Sequence, residues 1–74
     1  MNYQKFTAFI ERENDGYVSL CPELDIASQG DTVEEAKANL TEAIELFLET
    51  ADESEIKSRL RTDIFITQLE VSVG

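Results

Sequence analysis

The sequence has no histidine and no tryptophan, one cysteine, one proline and three glycines among 74 residues. Without histidine, the commonest general base, the Ser-His-Asp and Cys-His arrangements and the commonest metal ligand are all missing. A single cysteine, Cys21, excludes an intrachain disulfide and fits a reducing compartment. No basic residue stands near it in sequence to lower its pKa, so it reads as a small residue at a strand end rather than a nucleophile. The glycines are scattered and form neither a Walker loop nor a dinucleotide fingerprint. No apolar run reaches membrane-spanning length, and the start, MNYQKFTAFIER, lacks the apolar stretch of a signal peptide. The expectation is a cytoplasmic chain with no membrane partner and no cofactor.

Basic residues are scarce too. Six stand against 16 acidic ones, for a formal net charge of -10. Nucleic-acid binding draws its affinity from Lys and Arg on phosphates, so direct DNA or RNA contact is not expected. A cationic protein partner is favoured instead by electrostatic steering. The plainer alternative is that acidity keeps a small domain soluble.

What is present suits a folded domain: 42% hydrophobic and 30% charged residues. The length predicts one domain over residues 1–74, small enough that oligomerisation is a common remedy for a marginal core. Residues 3–12 alternate, with Phe6, Ala8 and Ile10 on one side and Lys5, Thr7 and Glu11 on the other, the period of a strand. Glu13-Asn14-Asp15-Gly16 reads as a turn, and Tyr17–Cys21 as the second strand of a hairpin. Pro22 ends that strand, and a short third strand is expected around Ile26–Gln29. Gly30 suggests a backbone conformation that other residues resist.

Thr32 followed three residues later by Glu35 fits a capping box, and Asp31 and Glu34 add negative charge at the positive end of the helix dipole. A helix is predicted from about Val33 to Ala51. Its apolar stripe is Val33, Ala36, Leu40, Ala43, Ile44, Phe47, Leu48 and Ala51. The stripe begins with small side chains and ends with large ones, so the helix should lie closer to its sheet at its N-terminal end. A short helical turn is expected within residues 52–62, then a long strand over residues 63–73 with Phe65, Leu69, Val71 and Val73 on one face. The predicted fold is α+β: two layers in the order β-β-β-α-β, a small, mostly antiparallel sheet with one main helix on one face. The other face, expected to carry Tyr3, Phe9, Ile64 and Ile66, or an edge strand, should then meet another copy or a partner.

Two sets of acids are candidates for a function. Glu23, Asp25, Asp31, Glu34 and Glu35 lie in the loop and helix start. Of these, Glu23, Asp25 and Asp31 could hold a hard cation, though solvated loop acids are the ordinary reading. Glu42, Glu45 and Glu49 follow on the outer helix face at spacings where like charges repel. Residues 13–55 hold 13 acids and one base, while Lys57, Arg59 and Arg61 gather just beyond. A solvated face and a docking surface for a cationic protein both fit this row. No catalytic constellation is expected; a hydrolase would need acids at the first strand centre, where Thr7-Ala8-Phe9 has none.

The stretch DGYVSLCPELDIASQGDTVEEAKANLTEAIELFLE resembles the HicB-like antitoxin domain of bacterial and archaeal toxin–antitoxin pairs. The resemblance lies in Asp15–Val18 entering the second strand, Pro22–Leu24, the Gln29–Thr32 turn, and Glu34–Ala36 opening the helix. It covers about half of the chain. It implies a partial ribonuclease-H-like fold without nuclease activity. It also implies a role: neutralising a small, basic, RNA-cleaving HicA-like toxin by masking its active site. Members are usually oligomeric, and a homo-oligomer, a dimer above all, is expected. Many members carry a C-terminal DNA-binding module, and none is expected within these 74 residues, which would place the chain among the short forms. The alternative functional expectations are a self-assembling structural or interaction domain without a toxin and, behind it, a vestigial metal-dependent nuclease.

Overall fold

The computed structural model describes residues 3–74. The elements are β1 (Phe9–Glu13), β2 (Gly16–Cys21), β3 (Ile26–Gly30), α1 (Val33–Thr50) and α2 (Glu53–Arg59). The strands form one antiparallel sheet in the order β1-β2-β3, with α1 packed on one face, an α+β arrangement. In the β1-β2 hairpin Glu13 pairs with Gly16, and Asn14 takes the left-handed φ of 55°. Asparagine tolerates that region better than most residues. Arg12 and Tyr17 face each other across the ladder, the guanidinium 5.1 Å from the ring centroid.

The face of β2 turned to the helix is Tyr17, Ser19 and Cys21, not the more apolar Val18 and Leu20. Ser19 and Cys21 are buried, and Leu20 is partly exposed on the outer face with Phe9. A buried hydroxyl needs a partner, and Ser19 donates to the Ala36 carbonyl at 2.9 Å. This contact lies where α1 comes close to the sheet. A β-carbon at Gly30 would stand 2.5 Å from the Ala36 nitrogen and 2.7 Å from the Glu35 β-carbon. Gly30 is therefore required for close approach. Its φ is not positive, which corrects the expectation of an unusual backbone conformation.

The core is Cys21, Leu24, Leu40 and Ile44, with Phe6, Ile26, Phe47 and Leu60 packed against it. The cap of α1 is as expected: the Glu35 N–H donates to Thr32 Oγ1 at 3.0 Å. The return bond of the box shifts by one residue, since the Glu35 carboxylate accepts from the Asp31 N–H rather than from that of Thr32. Helix α2 realises the expected turn. Asp52 caps it by accepting from the Glu55 N–H at 2.8 Å and from the Ser54 hydroxyl at 2.9 Å. These bonds hold its carboxyl below the usual aspartate range.

Two expectations fail. The first strand begins at Phe9 rather than residue 3; residues 3–8 form no ladder. The Thr7 N–H turns instead to the Glu23 carboxylate. Residues 63–73 form no strand, so the order is β-β-β-α-α. Alternation records a capacity for pairing, but a strand exists only where its backbone groups find a ladder partner. This tail finds none in its own sheet, and Phe65, Leu69, Val71 and Val73 remain exposed. Of the outer-face residues expected, Phe9 lies there, whereas Ile64 is half-buried beside Phe6 and Leu60.

Candidate partner-binding surface

The eight candidate acids separate into three places. Glu23 lies in the β2-β3 loop and is engaged internally. Its carboxylate accepts from the Thr7 N–H at 3.0 and 3.2 Å, the Thr7 hydroxyl at 2.6 Å and the Cys21 thiol at 3.4 Å. Partial burial opposes its charge, but the Thr7 bonds outweigh that and hold its pKa below the usual glutamate range. The thiol moves the other way, pushed up by burial and by the neighbouring carboxylate. A buried thiol with a raised pKa is a poor nucleophile. Glu23 thus ties the N-terminal segment to the loop after β2.

Asp25 is exposed at the same end, in a left-handed backbone conformation with φ 56°. The carbonyls of Leu24 and Asp25 accept from the Arg59 guanidinium at 2.9 and 3.0 Å, and that guanidinium stands 5.1 Å from the Phe47 ring centroid. The Arg61 N–H donates to the Glu23 carbonyl at 2.8 Å. Two members of the basic cluster Lys57-Arg59-Arg61 therefore staple the end of α2 to this loop.

Asp31, Glu34 and Glu35 sit at the other end of β3, roughly 15–20 Å from Asp25. Asp31 and Glu35 complete the helix cap. The expected single patch of loop and helix-start acids is therefore two patches. Among the described residues, no three acidic, cysteine or histidine side chains come together to hold a metal.

Glu42, Glu45 and Glu49 are exposed on the solvent side of α1, opposite the buried line of Ala36, Leu40 and Ile44. They span about 10 Å of helix at 1.5 Å rise per residue, comparable to the screening length in physiological salt. Glu34 and Lys37 extend the row, and with Ala38, Thr41, Glu42 and Glu45 they line a shallow depression of about 410 Å³. The last turn of α1 holds no basic residue.

Three proteins of Synechocystis sp. are similar to this chain. The UPF0150 protein ssr1765 is 53% identical over 47 residues, which cover 61% of this chain and 60% of that protein. The UPF0150 protein ssr1258 is 47% identical over 51 residues, covering 66% of this chain and 74% of that protein. The chain belongs to the UPF0150 family. The UPF0150 protein ssl0738 is 51% identical over 47 residues, 65% of its length. The match to the first of these relatives spans about three fifths of its length, and the matches to the others about two thirds and three quarters. No family model and no solved structure matches the chain.

One surface feature of this UPF0150 chain was not anticipated from sequence. Helix α1 packs mainly on β3, less on β2 and least on β1. On the β3 side, Asn39 Nδ2 donates to the Gln29 carbonyl at 2.7 Å. On the β1 side, an open groove of about 880 Å³ lies between residues 3–8 and the helix flank of Leu40, Ile44 and Leu48. The available signal was Leu48, on the border of the apolar stripe and still exposed. Among the described residues, no helix is long and apolar enough to cross a membrane.

Proposed function

We propose that this chain is a HicB-like antitoxin that binds and neutralises a small, basic, RNA-cleaving toxin of the HicA kind in the cytoplasm. The observation that carries the reading is the row of exposed carboxylates Glu42, Glu45 and Glu49 on α1, continued by Glu34. Spaced at three and four residues, they destabilise their own helix by roughly 0.2–0.5 kcal/mol per pair. A row that opposes its own helix is accounted for by a cationic surface outside the chain. The resemblance of Asp15–Ala36 to the antitoxin domain supplies the kind of partner. In this mechanism the chain transforms no substrate. Its charge steers encounter with the toxin, and the bound domain covers the surface that would grip RNA phosphates.

The test begins with co-expression of the chain and small open reading frames beside its own, to find one whose growth arrest it relieves. Against that purified ribonuclease, Glu42→Lys combined with Glu45→Lys should raise the inhibition constant about tenfold or more at low salt, and less at high salt. An unchanged constant at low salt rejects this surface. Failure of every neighbouring frame to be rescued rejects the antitoxin role.

A further inference from the structure

Two features of the fold have no partner among the described residues. One is the tail of residues 63–74. It is strand-patterned, with Phe65, Leu69 and Val73 at 91%, 81% and 93% exposure. The other is the groove beside β1, between residues 3–8 and the helix flank, where Leu48 is exposed while Leu40 and Ile44 are already buried. The β1 edge that borders it is also a free sheet edge, since the sheet order leaves β1 outermost.

The two match in chemistry and length. The tail presents Phe65, Leu69, Val71 and Val73 on one side of an extended segment. A strand lying along residues 3–13, which, like residues 63–73, span about 36 Å when extended, would cover the exposed Leu48 with apolar side chains. Addition of a strand to an open edge supplies main-chain hydrogen bonds, while alternate side chains fill the space beneath the helix flank.

The path of the chain bears on whose tail it is. Leu60 packs against the core, and the Arg61 N–H is held by the Glu23 carbonyl. Ile64 still lies beside Phe6, and beyond it the tail leaves its own body. The radius of gyration is 14.5 Å, against about 11 Å for a compact chain of this length, and the long dimension is 50 Å. The chain is therefore extended, and no residue of the tail lines the groove of its own chain. We infer that the chain forms a strand-exchanged dimer in which residues 63–73 of each copy pair along the β1 edge of the other and fill its groove. A two-fold axis makes the exchange reciprocal, so no tail and no groove is left over. The inference does not depend on the antitoxin reading.

Light scattering across a dilution series tests it with the 74-residue chain. The wild type should be a dimer. Leu69→Glu with Val71→Glu changes only exposed tail positions, and Leu48→Glu places a charge in the groove wall at a partly exposed site; thermal unfolding checks that each variant folds. Each should weaken dimerisation on the order of a hundredfold or more. Mixing the two variants should recover part of the dimer, because one carries an intact groove and the other an intact tail. A monomeric wild type overturns the inference, as when the tail closes on its own groove. So does a dimer that survives the tail changes. A dimer lost with the tail variant but kept with Leu48→Glu points to tail pairing with tail, and overturns it too.

Discussion

Replacing Gly30 by alanine tests why a glycine stands before the main helix. A β-carbon there would lie 2.5 Å from the Ala36 nitrogen, 2.7 Å from the Glu35 β-carbon and 2.8 Å from the Glu35 carbonyl carbon. Two of these are backbone atoms in the first turns of α1, so relief requires the helix to move off the sheet. That motion also strains the 2.9 Å bond from Ser19 to the Ala36 carbonyl. Overpacking of this kind costs about 1–3 kcal/mol, and contact with backbone places it at the upper end. Because Gly30 does not have a positive φ, alanine recovers roughly 0.5–1 kcal/mol from the unfolded chain. The net expectation is a loss of about 2 kcal/mol, out of a total of roughly 4–11 kcal/mol for a chain this long. It corresponds to a fall in melting temperature of about 8–16 °C. Urea unfolding should show a lower midpoint at unchanged slope. Gly16→Ala is the control, since its β-carbon meets a single close atom, the Gly30 oxygen at 2.9 Å, and it should cost less. Gly30→Asn discriminates between causes. If the position needed a left-handed backbone, asparagine would be milder than alanine; steric exclusion makes it no better. A Gly30→Ala midpoint at or above wild type, or asparagine clearly better than alanine, refutes the reasoning.

Two further outcomes concern the loop after β2. The depressed pKa of Glu23 means that its bonds to Thr7 add stability above the ordinary glutamate pKa of about 4.3, stability that is lost as pH falls through the lower folded value. Glu23→Gln should remove roughly 1 kcal/mol at neutral pH and flatten the acid limb of the stability profile, measured by urea midpoints from pH 7 downwards. An acid limb of unchanged steepness in the variant would assign the pH dependence to other carboxyls. Arg59→Lys keeps the charge but loses the planar fork that reaches the Leu24 and Asp25 carbonyls and stacks on Phe47. It should cost about 0.5–1 kcal/mol by the same assay, and a variant as stable as wild type would show that the staple contributes nothing.

Local signals in the sequence determined much of the fold. The Asn14 turn, the Thr32 cap and the stripe through Ala36, Leu40 and Ile44 are each written within a few neighbouring residues, and each appears where local chemistry puts it. The acidity of α1 is legible for the same reason, since an exposed glutamate needs no partner to be where it is. Tertiary structure decided what depends on distant segments. Leu24, a loop residue with no periodic neighbours, becomes fully buried because α1 and Leu60 close over it. Glu23 becomes a clamp because Thr7, sixteen residues away, brings it two donors. Gly30 is needed for the closeness of a helix that has not yet begun at that point in the chain. The segment 63–73 has the alternation of a strand, yet pairing is a relation between two backbones, and one sequence pattern cannot say whether the second backbone is within reach.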